Sequence, residues 1–293
     1  MSTRTVDILS PAFRLRFEDR QLRPVDAAPT PLAAWNAMCG DDGGRQGLAK
    51  GWFVVVGGNP KFGKSILALN LAASAMKAGE AVGFMSLEMS VEQLAARFYA
   101  MATKTPIRML EKGGFTKQHF DEVWKRISPL TNEYTFEVND TPLAYVDQVV
   151  DEMTGMWERE INWFVVDYLQ LVGVGDEESI NRQVTEVTSR LARFAKERTA
   201  TVIALSQFNR GTSVNYQTPP KAQGLHGGMI VEATADQVVL LDHSRYDKSD
   251  AKAKSWLIVD LNRHGEAGSV PIEWDYKTLG IREALPDEEG TWP

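Results

Sequence analysis

An uninterrupted apolar run, WFVVVG at residues 52–57, leads directly through GNPKFGKS into the helix-forming stretch ILALNLAASAMKA. Few folds accommodate that succession. A strand apolar on both faces belongs inside a sheet covered on both sides, the setting of a parallel strand rather than a half-solvated antiparallel one. The glycines then allow a loop tight enough to aim successive backbone N–H groups inward, and the helix behind it adds the positive end of its dipole. The spacing Gly58-x-x-x-x-Gly63-Lys64-Ser65 therefore describes a phosphate cradle formed by Gly58, Asn59, Pro60, Lys61, Phe62 and Gly63. Lys64 is placed to reach the outer phosphates of a nucleotide, and the Ser65 hydroxyl to hold Mg²⁺. The bare pattern also arises by chance; a strand before it and a helix after it make it specific.

Strand-like and helix-like segments alternate along the rest of the chain. AVGFMSLE (81–88), YTFEVND (134–140), INWFVVDY (161–168), TVIALSQ (201–207) and QVVLLD (237–242) read as further buried strands. Helices are expected over 64–78, closed by Gly79, and over VEQLAARFYAM behind a Ser90/Gln93 capping box. Two more are expected from Thr141-Pro142 through Glu160 and over 181–198, where Val184, Val187, Leu191 and Phe194 recur at helical spacing. SWLIVDLNR and SVPIEWDYK, around a glycine turn at 265–268, predict an antiparallel hairpin. Ahead of the core, the polar stretch 1–28 either docks on a neighbour or frays, and PLAAWNAM forms a short helix behind Thr30-Pro31. The expectation is one α/β domain over 45–285, a mostly parallel sheet flanked by helices with a C-terminal antiparallel hairpin. An arm or linker with the short helix (1–44) precedes it and a frayed tail (286–293) follows.

Composition narrows the class. No apolar run is long enough to predict a membrane span, and the opening MSTRTVDILSPAFRLRFEDR lacks the pattern of a secretory signal. Four histidines and the single Cys39 leave no zinc-ligand cluster and no disulfide framework. A cytoplasmic protein without a membrane partner is expected. The formal net charge of −7 argues against unspecific coating of DNA, but not against a local basic groove or the lining of a ring.

In doubly wound sheets ligands sit beyond the carboxyl ends of the strands, which groups Gly57, Glu88, Asp167 and Gln207. Asp167, ending the run 163–166, suits the acid that accompanies Mg²⁺ beside a phosphate loop; otherwise it caps a helix or meets solvent. Glu88 is placed to orient and deprotonate an attacking water, or simply to complement a helix dipole. Gln207 is either a sensor of the outermost phosphate or a polar strand end.

The four blocks GGNPKFGKS, FMSLEMS, VVDYLQL and ALSQFNR, in this order, resemble the C-terminal motor domain of the DnaB family of replicative DNA helicases, a RecA-like P-loop ATPase. VNDTP (138–142), NRQVTEVTSRLARFAKE (181–197) and VEATADQVVLL (231–241) fit the same family, and the likeness spans roughly 45–283. The resemblance implies ATP and Mg²⁺ as cofactors and ATP hydrolysis coupled to DNA unwinding in replication. It also implies a homo-oligomer, a hexameric ring on single-stranded DNA, of bacterial, phage or plasmid origin. Gly58, Gly63, Lys64 and Ser65 then match the phosphate loop, Asp167 the Mg²⁺-associated acid, Glu88 the catalytic base and Gln207 the γ-phosphate sensor. Arg97 matches an arginine close to the nucleotide. Arg263, in DLNRHG, matches an arginine finger that completes the next subunit's site. The family's helical N-terminal domain, which contacts primase, is expected to be missing, and no loader or primase partner is identifiable.

Three positions depart from the family pattern. Leu261 stands where a lysine usually precedes the finger, and Glu266 replaces the proline of the glycine turn. Gly224-Leu225-His226-Gly227-Gly228-Met229 stands where the family's DNA-gripping loop reads Asp-Leu-Arg-Glu-Ser-Gly; a histidine carries little charge at neutral pH beside an arginine. Two loops are expected to line a ring's channel. The first, 173–183, sets Asp176, Glu177 and Glu178 against Arg182; the second, 209–228, has Arg210 and Lys221 and no acid. Arg210, Lys221, His226 and Gly227 are thus the DNA-binding candidates, with Tyr216 available for stacking on a base. The altered loop and Leu261 leave an alternative open, a RecA-like DNA-binding ATPase of recombination or helicase loading that does not unwind.

Overall fold

The computed structural model describes residues 26–40, 46–113, 115–142, 145–173, 180–209, 219–243 and 255–284. A small antiparallel pair, β1 (Ala27–Ala28) with β2 (Leu48–Ala49), brackets helix α1 (Ala33–Cys39) and leads into β3 (Phe53–Gly57). There follow α2 (Lys64–Lys77), β4 (Val82–Ser86), α3 (Val91–Thr103), α4 (Ile107–Lys112), α5 (Lys117–Ile127), α6 (Leu130–Glu133), β5 (Phe136–Asn139) and α7 (Val146–Glu158). The second half adds β6 (Trp163–Asp167), α8 (Ile180–Arg198), β7 (Thr201–Ser206), α9 (Gly228–Thr234) and β8 (Gln237–Asp242). It closes with β9 (Ser255–Asn262), β10 (Gly268–Asp275) and β11 (Gly280–Glu283).

The main sheet runs β11-β10-β9-β8-β3-β7-β6-β4-β5. From β8 to β5 every pairing is parallel, and β9, β10 and β11 extend it antiparallel. This is the mostly parallel sheet with a C-terminal hairpin that the sequence predicts. The unbroken apolar run of β3 has its reason here: Val54 and Val56 pack with α1 and α2 on one face, Phe53 and Val55 with α7 and α8 on the other. The chain leaves β3 toward β4 on one side, while the connection from β7 passes to β8 on the other, and a crevice opens at the carboxyl end of β3 between them.

Several local expectations change. The helix expected from Thr141-Pro142 begins at Val146. Asn139 Oδ1 accepts the Thr141 N–H at 2.9 Å, which turns the chain. Val146 N–H then donates to Gly173 O at 2.9 Å, keeping Tyr145 extended, and Gln148 Oε1 accepts the Tyr145 N–H. The strand read to Glu88 stops at Ser86, whose hydroxyl donates to Met89 O at 2.6 Å and bends the segment away. Helix α1 starts at Ala33, because Thr30 Oγ1 holds the Leu32 N–H in a turn that keeps Pro31 outside it. That helix is also part of the core: Leu32, Trp35 and Cys39 are fully buried, and Trp35 Nε1 donates to Gln237 Oε1 at 2.9 Å. Helices α4 to α6 are not among the elements expected from the sequence, although Phe120, Val123, Trp124 and Ile127 of α5 recur at helical spacing; Ile127 is buried, while Phe120 and Trp124 stack on each other and stay exposed. Among the described residues no helix is long and apolar enough to cross a membrane.

Candidate active site

The phosphate loop leaves β3 beside β7, where Gly58 N–H donates to Ser206 O at 3.2 Å. Phe62 N–H closes a turn on Asn59 O, Pro60 and Lys61 project outward, and the backbone reverses through Lys61 (φ 67°) and Gly63 (φ 84°). Glycine is required at 63 twice over: its φ is left-handed, and a Cβ there would lie 2.9 Å from the Trp274 ring. Helix α2 begins at the next residue. Lys64 is buried, with Nζ donating to Gly58 O (2.9 Å) and Asn59 O (3.0 Å). Burial lowers its pKa to about 8, against the opposing charges of Asp167 and Glu88.

Asp167 ends β6, paired across the ladder with Ser86 of β4. It is almost fully buried, and that burial raises its pKa to about 6; Glu88 pushes the same way, while a hydrogen bond from Ser65 and the charges of Lys64 and Arg97 oppose it. Its Oδ2 has no hydrogen-bond partner, and neither does the buried Nε of Arg97. A buried polar atom left unpaired costs about 1–3 kcal/mol, so this crevice is unsatisfied by itself and suited to a ligand that supplies both a cation and an anion. Ser65 and Asp167 offer hard oxygen donors, which fits Mg²⁺. Among the described residues no group of three or more His, Cys, Asp or Glu stands together; Mg²⁺ is commonly held by one or two protein oxygens with phosphate and water completing its shell.

Glu88 is exposed on the turn after β4, and its charge acts on Lys64, Asp167 and Tyr168. Burial, then the charges of Glu88 and Asp167, raise the Tyr168 pKa, and a hydrogen bond to Gln207 works against them. Gln207, the first residue after β7, also accepts the His226 N–H at 3.1 Å on its carbonyl. The structure thus brings Lys64, Ser65, Glu88, Arg97, Asp167 and Gln207 together at the carboxyl ends of the parallel strands.

Arg263 lies at the opposite, amino ends of these strands. Strand β9 runs antiparallel to β8, with Asp242 facing Trp256 near the phosphate loop and Gln237 facing Asn262 at the far end. There Arg263 Nε donates to Ala235 O (2.7 Å) and Nη2 to Glu232 O (3.0 Å) and Ala233 O (2.8 Å), closing the C-terminal end of α9. The neighbouring His264 stacks on Trp52 and hydrogen-bonds Asp236. At about 3.3 Å per residue, the length of β3 sets Arg263 about 15 Å from its own phosphate loop, beyond the reach of its side chain.

The DNA-binding candidates are only partly described. Arg210 and Tyr216 lie outside the described residues, as do the acidic residues 176–178 of the first loop. Lys221 is exposed and pairs with Asp260 at 2.8 Å, an acid supplied by β9 rather than by the loop. Asn181 Oδ1, at the start of α8, faces His226 Nδ1 (3.4 Å) and accepts the Gly227 N–H (3.3 Å). The next position, Gly228, tolerates no side chain, since a Cβ would meet Gln223 O at 2.7 Å.

Sequence reasoning missed His243. As the first residue after β8 it sits at a strand's carboxyl end, the rule that selected Asp167 and Gln207. Its Nε2 donates to Phe62 O at 3.0 Å, so the proton is on that nitrogen, and Ser255 Oγ donates to Nδ1 at 2.8 Å. Burial lowers the His243 pKa and keeps the ring neutral, between Phe62 and Trp274. Trp274 gave no local signal, because its contact with Gly63 spans most of the chain.

Comparison with known proteins bears on the fold. The family model described as the DnaB-like helicase C-terminal domain matches residues 42–282. A probable plasmid replicative DNA helicase of Chlamydia psittaci is 29% identical over 233 residues, 78% of this chain and 50% of that protein. A replicative DNA helicase of Bacillus subtilis is 28% identical over 255 residues, 84% of this chain and 56% of that protein. The chain therefore spans about half the length of the curated relatives it matches. Among solved structures, the ATPase domain of G40P superimposes with a TM-score of 0.82 at 20% identity, covering 96% of this chain and 100% of that one. A KaiC-like protein of Pyrococcus horikoshii gives 0.59 at 18% identity over 89% of this chain and 100% of that one.

Proposed function

The chain belongs to the DnaB-like helicase C-terminal domain family, and from that premise we propose that it is the motor of an ATP-driven replicative DNA helicase. ATP is hydrolysed between adjoining copies, assembled as a hexameric ring around single-stranded DNA. The observation that carries this reading is the division of the catalytic groups: Lys64, Ser65, Glu88 and Asp167 stand at the carboxyl ends of the parallel strands and Arg263 at their amino ends. A complete site then needs two chains, joined head to tail in the way that closes rings.

Within such a site each group has a defined task. The phosphate loop's N–H groups hold the β- and γ-phosphates, and Lys64 exchanges the carbonyls of Gly58 and Asn59 for phosphate oxygens, whose charge keeps it protonated. Ser65 and Asp167 would hold Mg²⁺, which would supply positive charge to the phosphate oxygens. Arg97, with its buried unpaired Nε, offers a further cation to the same oxygens. Glu88, exposed where water arrives, orients the nucleophile and accepts its proton. Gln207 reads the γ-phosphate and transmits its loss through the bond from its carbonyl to the His226 N–H. Arg263 leaves the carbonyls of α9 for the neighbour's transferring phosphoryl group. Arg210, Lys221, His226 and Gly227 meet DNA phosphates, weakly per subunit and steeply with salt when repeated around a ring.

The test is hydrolysis of ATP with and without single-stranded DNA, together with unwinding of a forked duplex and particle size by light scattering with a Mg·ATP analogue. DNA-stimulated hydrolysis, unwinding and a nucleotide-dependent ring are expected. A chain that stays single and shows neither stimulation nor unwinding is not this motor.

A further inference from the structure

Strand β9 and the residue after it hold the second loop and the helix behind it at two points. Arg263 takes the carbonyls at the end of α9, and three residues earlier Asp260 holds the beginning of the loop's returning limb. One carboxylate oxygen of Asp260 lies 2.8 Å from Lys221 Nζ, and the other accepts the Ala222 N–H at 2.8 Å. The two partners differ sharply in exposure: the Asp260 side chain is 7% exposed and that of Lys221 71%. Ala222 is itself fixed, since it opens the short turn Ala222–Gly224, beyond which Leu225 bridges to Phe208. Asp260 is therefore an immobile anion under a mobile cation.

That asymmetry has a consequence for phosphate binding. The lysine end of the pair faces solvent, where such contacts exchange readily, so Lys221 can turn toward a DNA phosphate. The carboxylate cannot turn away, because burial and the Ala222 N–H hold it. A phosphate on Lys221 thus sits within a few ångströms of a fixed like charge. We propose that Asp260 is a built-in competitor for DNA phosphate at Lys221, lowering the loop's affinity for single-stranded DNA below what its basic residues alone would give. This rests on the reading above that the loop faces DNA. Its use to a motor is release: a contact that is easily exchanged does not anchor the strand between steps.

The test uses the full chain with Mg·ATP analogue and a fluorescent oligothymidylate, with binding followed by anisotropy at several salt concentrations. Asp260→Asn keeps an oxygen for the Ala222 N–H while presenting an uncharged amide to Lys221. It is expected to bind about 3- to 10-fold tighter, with the log–log salt slope steeper by up to about one per engaged subunit. In a Lys221→Ala background the same substitution changes affinity less than about twofold, which isolates the pair. Unchanged or weaker binding by a folded Asp260→Asn chain overturns the proposal. So does an equal gain in the Lys221→Ala background, which marks a general loss of negative charge. Should Asp260→Asn melt below the assay temperature, Asp260→Ser, which keeps a hydroxyl acceptor, carries the same expectation. If parent and variants alike bind no DNA at any salt, the DNA-facing reading of the loop falls and the proposal with it; a parent that binds while Asp260→Asn gains nothing overturns the proposal alone.

Discussion

The phosphate crevice and the returning limb of the second loop handle their charges in opposite ways. In the crevice Lys64 and Asp167 are buried, their pKa values are displaced to about 8 and about 6, and Asp167 Oδ2 and Arg97 Nε are left without partners. On the limb Lys221 is exposed and already paired with Asp260, and the Gly227 N–H is taken by Asn181. The first arrangement bears a cost in the ligand-free fold that, on the proposed reading, a bound nucleotide relieves. The second is satisfied in itself, so under the proposed function a DNA phosphate would have to displace something there. The contrast lies in where polar atoms are left unpaired.

Removing a group from the crevice has the largest expected effect. Lys64→Ala should lower kcat/KM for ATP by about 10³-fold or more, the scale for losing a charge aimed at the transferring phosphoryl group; a steady-state phosphate-release assay reads it. Activity within about tenfold of the parent would mean that the buried cation is structural.

The burden of burying Asp167 gives the second effect, with a sign that pH reveals. Its folded-state pKa, about 6, lies above the ordinary 3.8, so stability is greatest where the group is protonated in both states and declines as pH rises from about 4 through 6. Above that window the folded chain bears on the order of 2–3 kcal/mol of cost. Asp167→Asn removes it but also strips Lys64 and Arg97 of a counter-charge. The nucleotide-free variant should be about 1–2 kcal/mol more stable than the parent at pH 8, with the gain shrinking toward pH 4, as followed by urea melts. A gain that grows as pH falls would contradict the assignment.

Gly63→Ala comes third. A left-handed φ and the 2.9 Å approach to Trp274 set a strain of about 1–3 kcal/mol, visible as a lower Tm and weaker nucleotide binding. The smallest effect belongs to the limb: His226→Arg should tighten single-stranded DNA binding a few-fold and steepen its salt slope by up to about one, leaving the melt in place within about 0.5 kcal/mol. If it instead matched a crevice substitution in size, the contrast between the two regions would be gone.

How much of this was legible in the sequence follows from the range of the interactions. The phosphate loop is written in eight consecutive residues, and β3, β6 and β7 announce themselves as unbroken apolar runs because both faces of the sheet are covered. Asp167 was favoured from its strand end beside the phosphate loop, whereas Gln207 stood even with a plain polar strand end. Glu88 was balanced against a bland alternative until the resemblance weighed in. What stayed hidden depends on distant partners: Trp274 filling the space beside Gly63, His243 latched to Phe62, and Asp260 reaching Lys221 from another strand. The start of α7 was misplaced for a similar reason. Its true cap depends on Gly173, which is far along the chain, whereas Thr141-Pro142 looked sufficient locally.

The most direct measurement mixes two inactive chains. Arg263→Ala retains an intact phosphate crevice and Lys64→Ala an intact Arg263, so where the two adjoin in the right order the site is whole. Each alone should be nearly inactive, and an equimolar mixture, exchanged and reassembled with nucleotide, should recover ATP hydrolysis at about a quarter of its interfaces. A mixture no more active than the mean of its components, or an Arg263→Ala chain that hydrolyses ATP as fast as the parent, would contradict a site shared between two copies.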